Sequence, residues 1–184
     1  MGQERRVRRL STDQLTPAEV AAIRTLLVAA FSPDEDEGFG QHDWEHAIGG
    51  MHFVLDLDAE VLAHASVVER ELLIGDRPLR TGYVEAVATA PGHQGAGLGS
   101  LVMRDVGAYI GERFELGALG TGRHTFYERL GWRTWKGPTS VRTDAGSVRT
   151  GDEDGNVLVL STPTSPPFDL TAPISCDWRA GDVW

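Results

Sequence analysis

Residues 83–99 read YVEAVATAPGHQGAGLG, and this stretch decides the fold. It joins an apolar run typical of a β-strand to a glycine-rich loop, and residues 98–113 then have the apolar spacing of an α-helix. The free N–H groups and the dipole at the start of such a helix form a site for an anion. Glycines let the main chain approach a pyrophosphate closely. The sequence therefore predicts a strand, a phosphate-binding loop and a helix, in that order.

The spacing of the glycines distinguishes between kinds of phosphate-binding loop. A Walker loop ends in Gly-Lys-Ser/Thr, whereas Leu98-Gly99-Ser100 has no lysine. A dinucleotide fingerprint needs Gly-x-Gly-x-x-Gly, whereas the glycines here stand at 95, 97 and 99. The spacing Gln94-x-x-Gly97-x-Gly99 instead resembles the Q/R-x-x-G-x-G/A signature of the GNAT acetyltransferases, in which this loop holds the pyrophosphate of coenzyme A.

Further segments resemble one branch of that superfamily, the aminoglycoside 2′-N-acetyltransferases. They are His42–His46, Gly49–His52, Gly82–Glu85, Tyr127–Trp132, Gly137–Val141 and the terminal Cys176–Trp184. The terminal block, CDWRAGDVW, is long and unusual, so it is more specific than the glycine loop. The acidic loop Asp34–Glu37 is longer than in that family, which leaves open which of its acids would meet a substrate.

The resemblance implies a GNAT fold of the α+β class, with a central mixed β-sheet flanked by helices and a coenzyme A site at the loop and helix. The order of the apolar runs agrees with this class, because strands at 51–57, 61–70 and 79–89 precede the helix at 98–113 and a strand at 116–119. We expect a single domain over residues 1–184. The proline-rich segment from Ser161 onward is expected to be irregular.

Three residues are candidates for the chemistry. Glu85 lies in an apolar strand, where burying a carboxylate is costly, so we expect it to face a cleft and accept a proton from an amine. A structural ion pair is the alternative. The resemblance implies that Tyr127 protonates the departing thiolate and that the backbone N–H of Val87 stabilises the oxyanion. Without the resemblance, Tyr127 beside Phe126 would be interpreted as a core residue.

The resemblance also implies two sets of binding residues. Acetyl-CoA would be held by Val87, Thr89, Gln94, Gly95, Ala96, Gly97, Leu98 and Gly99. A cationic aminoglycoside would contact Asp34, Glu37, Asp43, Glu85, Ala86, Glu153, Asp182 and the carboxylate of Trp184. Carboxylates suit ammonium groups as charge-assisted acceptors. Because terminal residues usually make few buried contacts, we expect residues 182–184 to bind substrate and to contribute little to folding.

These inferences predict direct transfer from acetyl-CoA to the 2′-amino group of an aminoglycoside in a ternary complex, which inactivates the antibiotic. The alternatives are a GNAT enzyme for a polyamine or a protein N-terminus, a catalytically silent acyl-CoA-binding module, and a structural protein. The last leaves the glycine loop unexplained. The motif His42-x-x-Glu45-His46 matches an inverted zinc-protease pattern. Its segment stops at Gly49-Gly50 with no evident third ligand, so we expect no metal.

The amino-acid composition limits which kinds of binding partner and which cellular location we expect. The net charge of -10 over 184 residues argues against binding nucleic acid, which calls for clustered Lys and Arg. The acids are concentrated in stretches, which suits a cationic partner, although a solubilising surface remains an equal interpretation. The longest apolar runs are too short for a membrane span, and the charged residues 1–9 lead into no signal core. We therefore expect a cytoplasmic protein without membrane contact; the resemblance implies a homodimer.

Overall fold

The computed structural model describes residues 6–31 and 38–184. These residues form two compact units. Unit 1 comprises residues 6–31, 38–68 and 84–106, and unit 2 comprises residues 69–83 and 107–184. The expectation of one domain over residues 1–184 stays a prediction.

Unit 1 is built on antiparallel strands covered by helices. Its elements are β1 (Val7–Ser11), β2 (Met51–Leu57), the first half of β3 (Glu60–Ile74), the second half of β4 (Arg77–Thr89), α1 (Pro17–Ala30), α2 (Gln41–Ala47) and the first half of α3 (Leu98–Arg113). The order of β1 to β3 follows the chain, and each strand is antiparallel to the next. Ile23 and Leu27 on α1 pack in one buried cluster with Trp44 on α2 and Val54 on β2, so Trp44 faces the core of unit 1.

Helix α1 begins at a capping box formed by Thr16 and Glu19. The backbone N–H of Glu19 donates to the Thr16 hydroxyl over 3.2 Å, and the Thr16 N–H donates to the Glu19 carboxylate over 2.8 Å. Pro17 occupies the first helical position, where its missing N–H costs nothing. Local sequence therefore fixes the start of this helix.

Unit 2 contains a mixed sheet. Its further elements are β5 (Leu116–Gly120), α4 (His124–Glu128), β6 (Arg133–Thr134), β7 (Thr139–Thr143), β8 (Gly146–Arg149), β9 (Val157–Ser161) and β10 (Ile174–Asp177). The strand order is β6-β9-β5-β4-β3-β10-β7-β8. The pairs β4/β5 and β7/β10 are parallel, whereas β9 pairs antiparallel with β5 and β6. This is the α+β class with a mixed sheet that the sequence predicts.

The expectation of an irregular segment after Ser161 is wrong for Ile174–Asp177. This stretch is β10, which inserts between β3 and β7. Ile174 pairs with Ile74 on one side and with Thr139 on the other. Proline and turn residues flank a strand of only four residues, so its local pattern is weak, and partners far away in sequence determine it.

The longest described helix is α3, with 16 residues. Among the helices of residues 6–31 and 38–184, none has the length and apolar character needed to cross a membrane.

Candidate active site

The glycine loop has the geometry of an anion cradle. Residues 91–97 are exposed, and Gly95 and Gly97 both have a φ of 79°, the left-handed region that favours glycine. A Cβ added at either glycine would meet no atom within 4 Å, so the loop presents its backbone to open space. The Leu101 N–H donates to Gly97 O over 3.1 Å, which closes the first turn of α3. The amides of the first helical turn have no acceptor within a helix and so suit a pyrophosphate.

The strand that leads to this loop contains a kink beside the predicted base. Ala86 has a φ of 50°, which is uncommon for a residue with a side chain and costs about 1–2 kcal/mol. Glu85, Ala86 and Val87 are half-buried, between the buried Val84 and Ala88. Backbone strain of this kind concentrates at functional sites. Within unit 1, the structure therefore places Glu85, Val87 and Thr89 on one kinked strand just before the glycine loop.

Three hydrogen-bonded polar side chains, which form the polar chain Thr12–His52–His64, lead to this kink. Thr12 Oγ1 lies 2.9 Å from His52 Nε2, His52 Nδ1 lies 3.0 Å from His64 Nε2, and His64 Nδ1 lies 2.8 Å from Ala86 O. Both imidazoles are fully buried. Burial lowers the pKa of His52 to about 4. Burial, with a smaller contribution from His52, lowers that of His64 to about 3. Both rings are therefore neutral at physiological pH.

In unit 2, Tyr127 occupies a buried position on α4. Its ring makes edge contacts with Phe126 and Trp132, at centroid distances of 4.9 and 6.3 Å. Burial raises the pKa of the phenol to about 12, although nearby Arg123 acts in the opposite direction. The phenol is therefore protonated at neutral pH and can donate a hydrogen bond. It is also a weaker acid than an ordinary thiol, whose pKa is about 8.5.

Acidic side chains of unit 2 interact with one another. Glu153 ends a short 3-10 turn at Gly151–Glu153 and is half-buried. Its pKa is raised, first by burial and then by the negative charges of Asp182 and Asp152. Asp182 is exposed, and its Oδ1 accepts from the Trp184 N–H over 3.1 Å. A carboxylate has about four acceptor positions, so this bond leaves Asp182 capacity for a cation.

The C-terminal segment is packed, which contradicts the expectation that residues 182–184 contribute little to folding. Trp184 is 4% exposed, and its indole N–H donates to Thr150 Oγ1 over 2.9 Å. The buried Arg70 donates to Val183 O over 2.9 Å and to Asp177 O over 2.8 Å. The guanidinium also lies 4.7 Å from the ring centroid of Tyr83. Removing a partner of a charge buried this deeply is strongly destabilising, so the segment that binds Arg70 contributes to the stability of unit 2.

Three further acidic residues were predicted to contact the substrate, namely Asp43, Asp34 and Glu37. Asp43 Oδ2 accepts from the Gly40 N–H over 2.7 Å, so this carboxylate caps α2. Asp34 and Glu37 lie outside the described residues. Within residues 6–31 and 38–184, no three His, Cys, Asp or Glu side chains are grouped as metal ligands.

Sequence reasoning missed Thr12, His52, His64 and Arg70. In the sequence, His52 and His64 each stand as a single polar residue within an apolar strand. The register of β2 and β3 pairs Val54 with His64 and His52 with Ser66, which brings the two rings onto one face. The only available signal was that a buried polar group requires a partner, and the sequence alone could not identify that partner.

Comparison with known proteins assigns the family. Residues 11–135 match the model of the acetyltransferase (GNAT) domain. The chain therefore belongs to the GNAT family of acetyltransferases, which confirms the resemblance inferred from Gln94-x-x-Gly97-x-Gly99. Over 182 residues it is 42% identical to the aminoglycoside 2′-N-acetyltransferase of Mycolicibacterium fortuitum, and the match covers 96% of this chain and 91% of that relative.

Solved structures agree on the fold. A GNAT family acetyltransferase from Brucella melitensis in complex with acetyl-CoA has a TM-score of 0.61 at 18% identity, with 96% of this chain and 98% of that chain covered. A GCN5-related N-acetyltransferase from Kribbella flavida has a TM-score of 0.58 at 21% identity and 73% of this chain covered. This chain spans about a third of that longer protein, 34% of its length. The predicted GNAT fold is confirmed.

Proposed function

We propose that the protein transfers the acetyl group of acetyl-CoA to the 2′-amino group of an aminoglycoside, and thereby inactivates the antibiotic. The observation that carries the proposal is the 42% identity over nearly the whole chain to an enzyme of this name. The acidic side chains of Glu153 and Asp182 support a cationic substrate. Their negative charges repel each other, and a bound positive charge would offset this repulsion. A homodimer and a cytoplasmic location stay predictions.

The glycine loop suits acetyl-CoA. We assign the pyrophosphate to the backbone of Gln94–Gly99, since left-handed glycines and the first turn of α3 offer N–H groups without bulky side chains. Val87 and Thr89 are assigned to the pantetheine end, because they precede the loop on the kinked β4. Bound acetyl-CoA supplies a thioester, which an unprotonated amine can attack at the carbonyl carbon.

The chain's own groups would then handle the protons and the developing charge. Glu85 accepts the proton of the attacking amine, directly or through a water. The Val87 N–H donates to the oxygen of the reacting carbonyl as it gains negative charge. Tyr127 donates a hydrogen bond to the departing sulfur. With a pKa of about 12, this phenol stabilises a thiolate by that bond rather than by giving up its proton completely.

A matched pair of aminoglycosides tests the proposal. The two compounds should differ only in carrying an amino or a hydroxyl group at the 2′ position. We expect coenzyme A release with the amine and at least a hundredfold less with the alcohol, because only the amine is the proposed nucleophile. Mass spectrometry and NMR of the product locate the acetyl group. Turnover with polyamines or peptides alone would identify a different amine substrate, and acetyl-CoA binding without turnover would identify a silent module.

Glu153→Gln is expected to weaken substrate binding and to stabilise the fold. The raised pKa means that the folded protein disfavours the charged carboxylate. The charged Glu153 carboxylate therefore destabilises the fold at neutral pH, and this effect is relieved as pH falls through the folded pKa towards the ordinary value of 4.5. Removing one charge-assisted contact should raise the aminoglycoside KM about tenfold to hundredfold. Substrate titrations and melting curves at pH 7 and pH 4 measure both effects.

Asp144→Asn is the control for net charge. Asp144 is an exposed carboxylate in the turn between β7 and β8, so its loss changes the total charge equally. We expect this variant to keep the wild-type KM within about twofold. An unchanged KM for Glu153→Gln, or an equal rise in both variants, would remove Glu153 from the substrate site.

A further inference from the structure

A hydrogen bond from a buried histidine reaches the peptide group that contains the proposed oxyanion donor. His64 Nδ1 lies 2.8 Å from Ala86 O. The C=O of Ala86 and the N–H of Val87 belong to the same peptide unit. Because a peptide group is planar and trans, fixing the direction of its C=O also fixes its N–H, which points the opposite way. The contact of His64 with Ala86 O therefore bears on the direction of the Val87 N–H, which His64 does not itself touch.

We propose that His64 is a positioning residue for acetyl transfer: it holds and polarises the Ala86–Val87 peptide so that the Val87 N–H is a fixed, strengthened donor to the reacting carbonyl. The inference rests on the proposed function for the identity of the reaction. The anchoring of the peptide rests only on the contacts within unit 1.

The groups at the two ends of the polar chain Thr12–His52–His64 determine where its protons lie. A carbonyl only accepts, so His64 Nδ1 carries a hydrogen. Since the ring is neutral, His64 Nε2 has none and accepts from His52 Nδ1 over 3.0 Å. By the same logic, His52 Nε2 accepts from the Thr12 hydroxyl over 2.9 Å. That contact is shorter than the 3.4 Å from the same hydroxyl to Gly50 O.

All the hydrogen bonds of the polar chain then point in the same direction, from Gly49 towards Ala86 O. The Gly49 N–H donates to Thr12 Oγ1 over 2.9 Å, and the donors continue through His52 and His64 to the Ala86 carbonyl. Aligned hydrogen bonds polarise one another, most effectively in a buried environment. Electron density drawn toward Ala86 O leaves the Val87 N–H more positive. This is the property that an oxyanion donor needs.

The kink explains why such an anchor is needed. Ala86 is held in a left-handed conformation that a side chain disfavours. Ser66 Oγ makes a longer bond of 3.4 Å to Glu85 O, the carbonyl one residue earlier. Successive carbonyls of a regular strand point to opposite sides. Here β3 side chains reach two successive carbonyls of β4, and His64 makes the shorter of the two contacts.

Two amide substitutions of similar size test the roles of the two ring nitrogens of His64 separately. His64→Asn places an amide NH₂ where Nδ1 was and can still donate to Ala86 O. His64→Gln places its amide where Nε2 was and loses that bond. We expect kcat to fall about tenfold to hundredfold in His64→Gln, with both KM values within about twofold, and to stay within about threefold in His64→Asn. Melting temperatures of both variants report the shared loss of the buried ring.

NMR on the unmodified chain gives a readout that needs no turnover. Side-chain ¹⁵N–¹H spectra at pH 7 should show both His52 and His64 protonated at Nδ1 only. The backbone ¹⁵N shift of Val87 should move in His64→Gln and stay near the wild-type value in His64→Asn. A hydrogen on His64 Nε2, a wild-type kcat in His64→Gln, or equal kcat losses in both variants would overturn the inference. A wild-type chain without aminoglycoside turnover would instead refute the proposed function, while the NMR still decides the anchoring.

Discussion

Glu85→Gln is expected to lower kcat/KM at pH 7 by about a hundredfold or more, the range for loss of a general base. Most of a primary amine is protonated at this pH, since such groups have pKa values of about 8 to 10. The reaction therefore needs a proton acceptor. As pH rises towards 9.5, more amine is already unprotonated, so the variant should recover part of the loss. Rates measured from pH 6.5 to 9.5 test both expectations.

Glu60→Gln provides the matched control for this change. Glu60 is an exposed glutamate at the start of β3, so the same atoms are exchanged outside the kinked strand. We expect its pH profile to follow the wild type. The Glu85 variant should keep the wild-type Kd for acetyl-CoA, because the amide has the shape of the carboxyl group. A Glu85→Gln protein with wild-type rates across the whole pH range would show that Glu85 is not the base.

Gly97→Val is expected to weaken acetyl-CoA binding by at least about a hundredfold. Gly97 has a φ of 79°, and a Cβ added there projects into open space. A valine would therefore enter the region assigned to the pyrophosphate, and its branched side chain would also strain the left-handed backbone. Calorimetry with acetyl-CoA measures the loss. S-acetylpantetheine has no pyrophosphate, so the wild type and the variant should use it at similar rates.

Gly75→Val separates the effect of strain from the effect of occupied space. Gly75, in the turn between β3 and β4, has a φ of 58° and also has no atom within 4 Å of an added Cβ. Both variants should lose comparable stability, but only Gly97→Val should lose coenzyme affinity. A folded Gly97→Val protein with wild-type acetyl-CoA affinity would contradict the assignment of the loop.

Residues 182–184 are packed against the rest of unit 2, which the sequence did not predict. Trp184 is buried and Arg70 donates to Val183 O, so the segment that carries Asp182 is held in place within unit 2. The rigid attachment suits a binding site, because carboxylates that are already in place lose little entropy when a cation arrives. Removing residues 182–184 would therefore lower stability, so single side-chain changes are the better probe of the proposed substrate binding.

Local interactions made part of this protein predictable. Helix α3 begins and ends where its apolar spacing predicts, at Leu98 and Arg113, because contacts within a few residues decide a long amphipathic helix. The strand, the glycine loop and the start of this helix lie within one short stretch. The glycines in this stretch permit the left-handed backbone and the close approach to a phosphate. Sequence therefore sufficed for the family and the fold class, whereas the assignment of this loop to coenzyme A stays a proposal.

Tertiary structure decided the contacts that support the site. His64 reaches a carbonyl 22 residues later, and Arg70 reaches one 113 residues later. Such pairs depend on strand register, and a shift of one residue would turn each side chain to the other face of its sheet. Burial then lowers the pKa values of His52 and His64 and raises the pKa of Glu153, since the cost of charge depends on the surrounding medium. Neither register nor burial is a local property of the sequence, so the polar chain behind Ala86 became visible only in the folded protein.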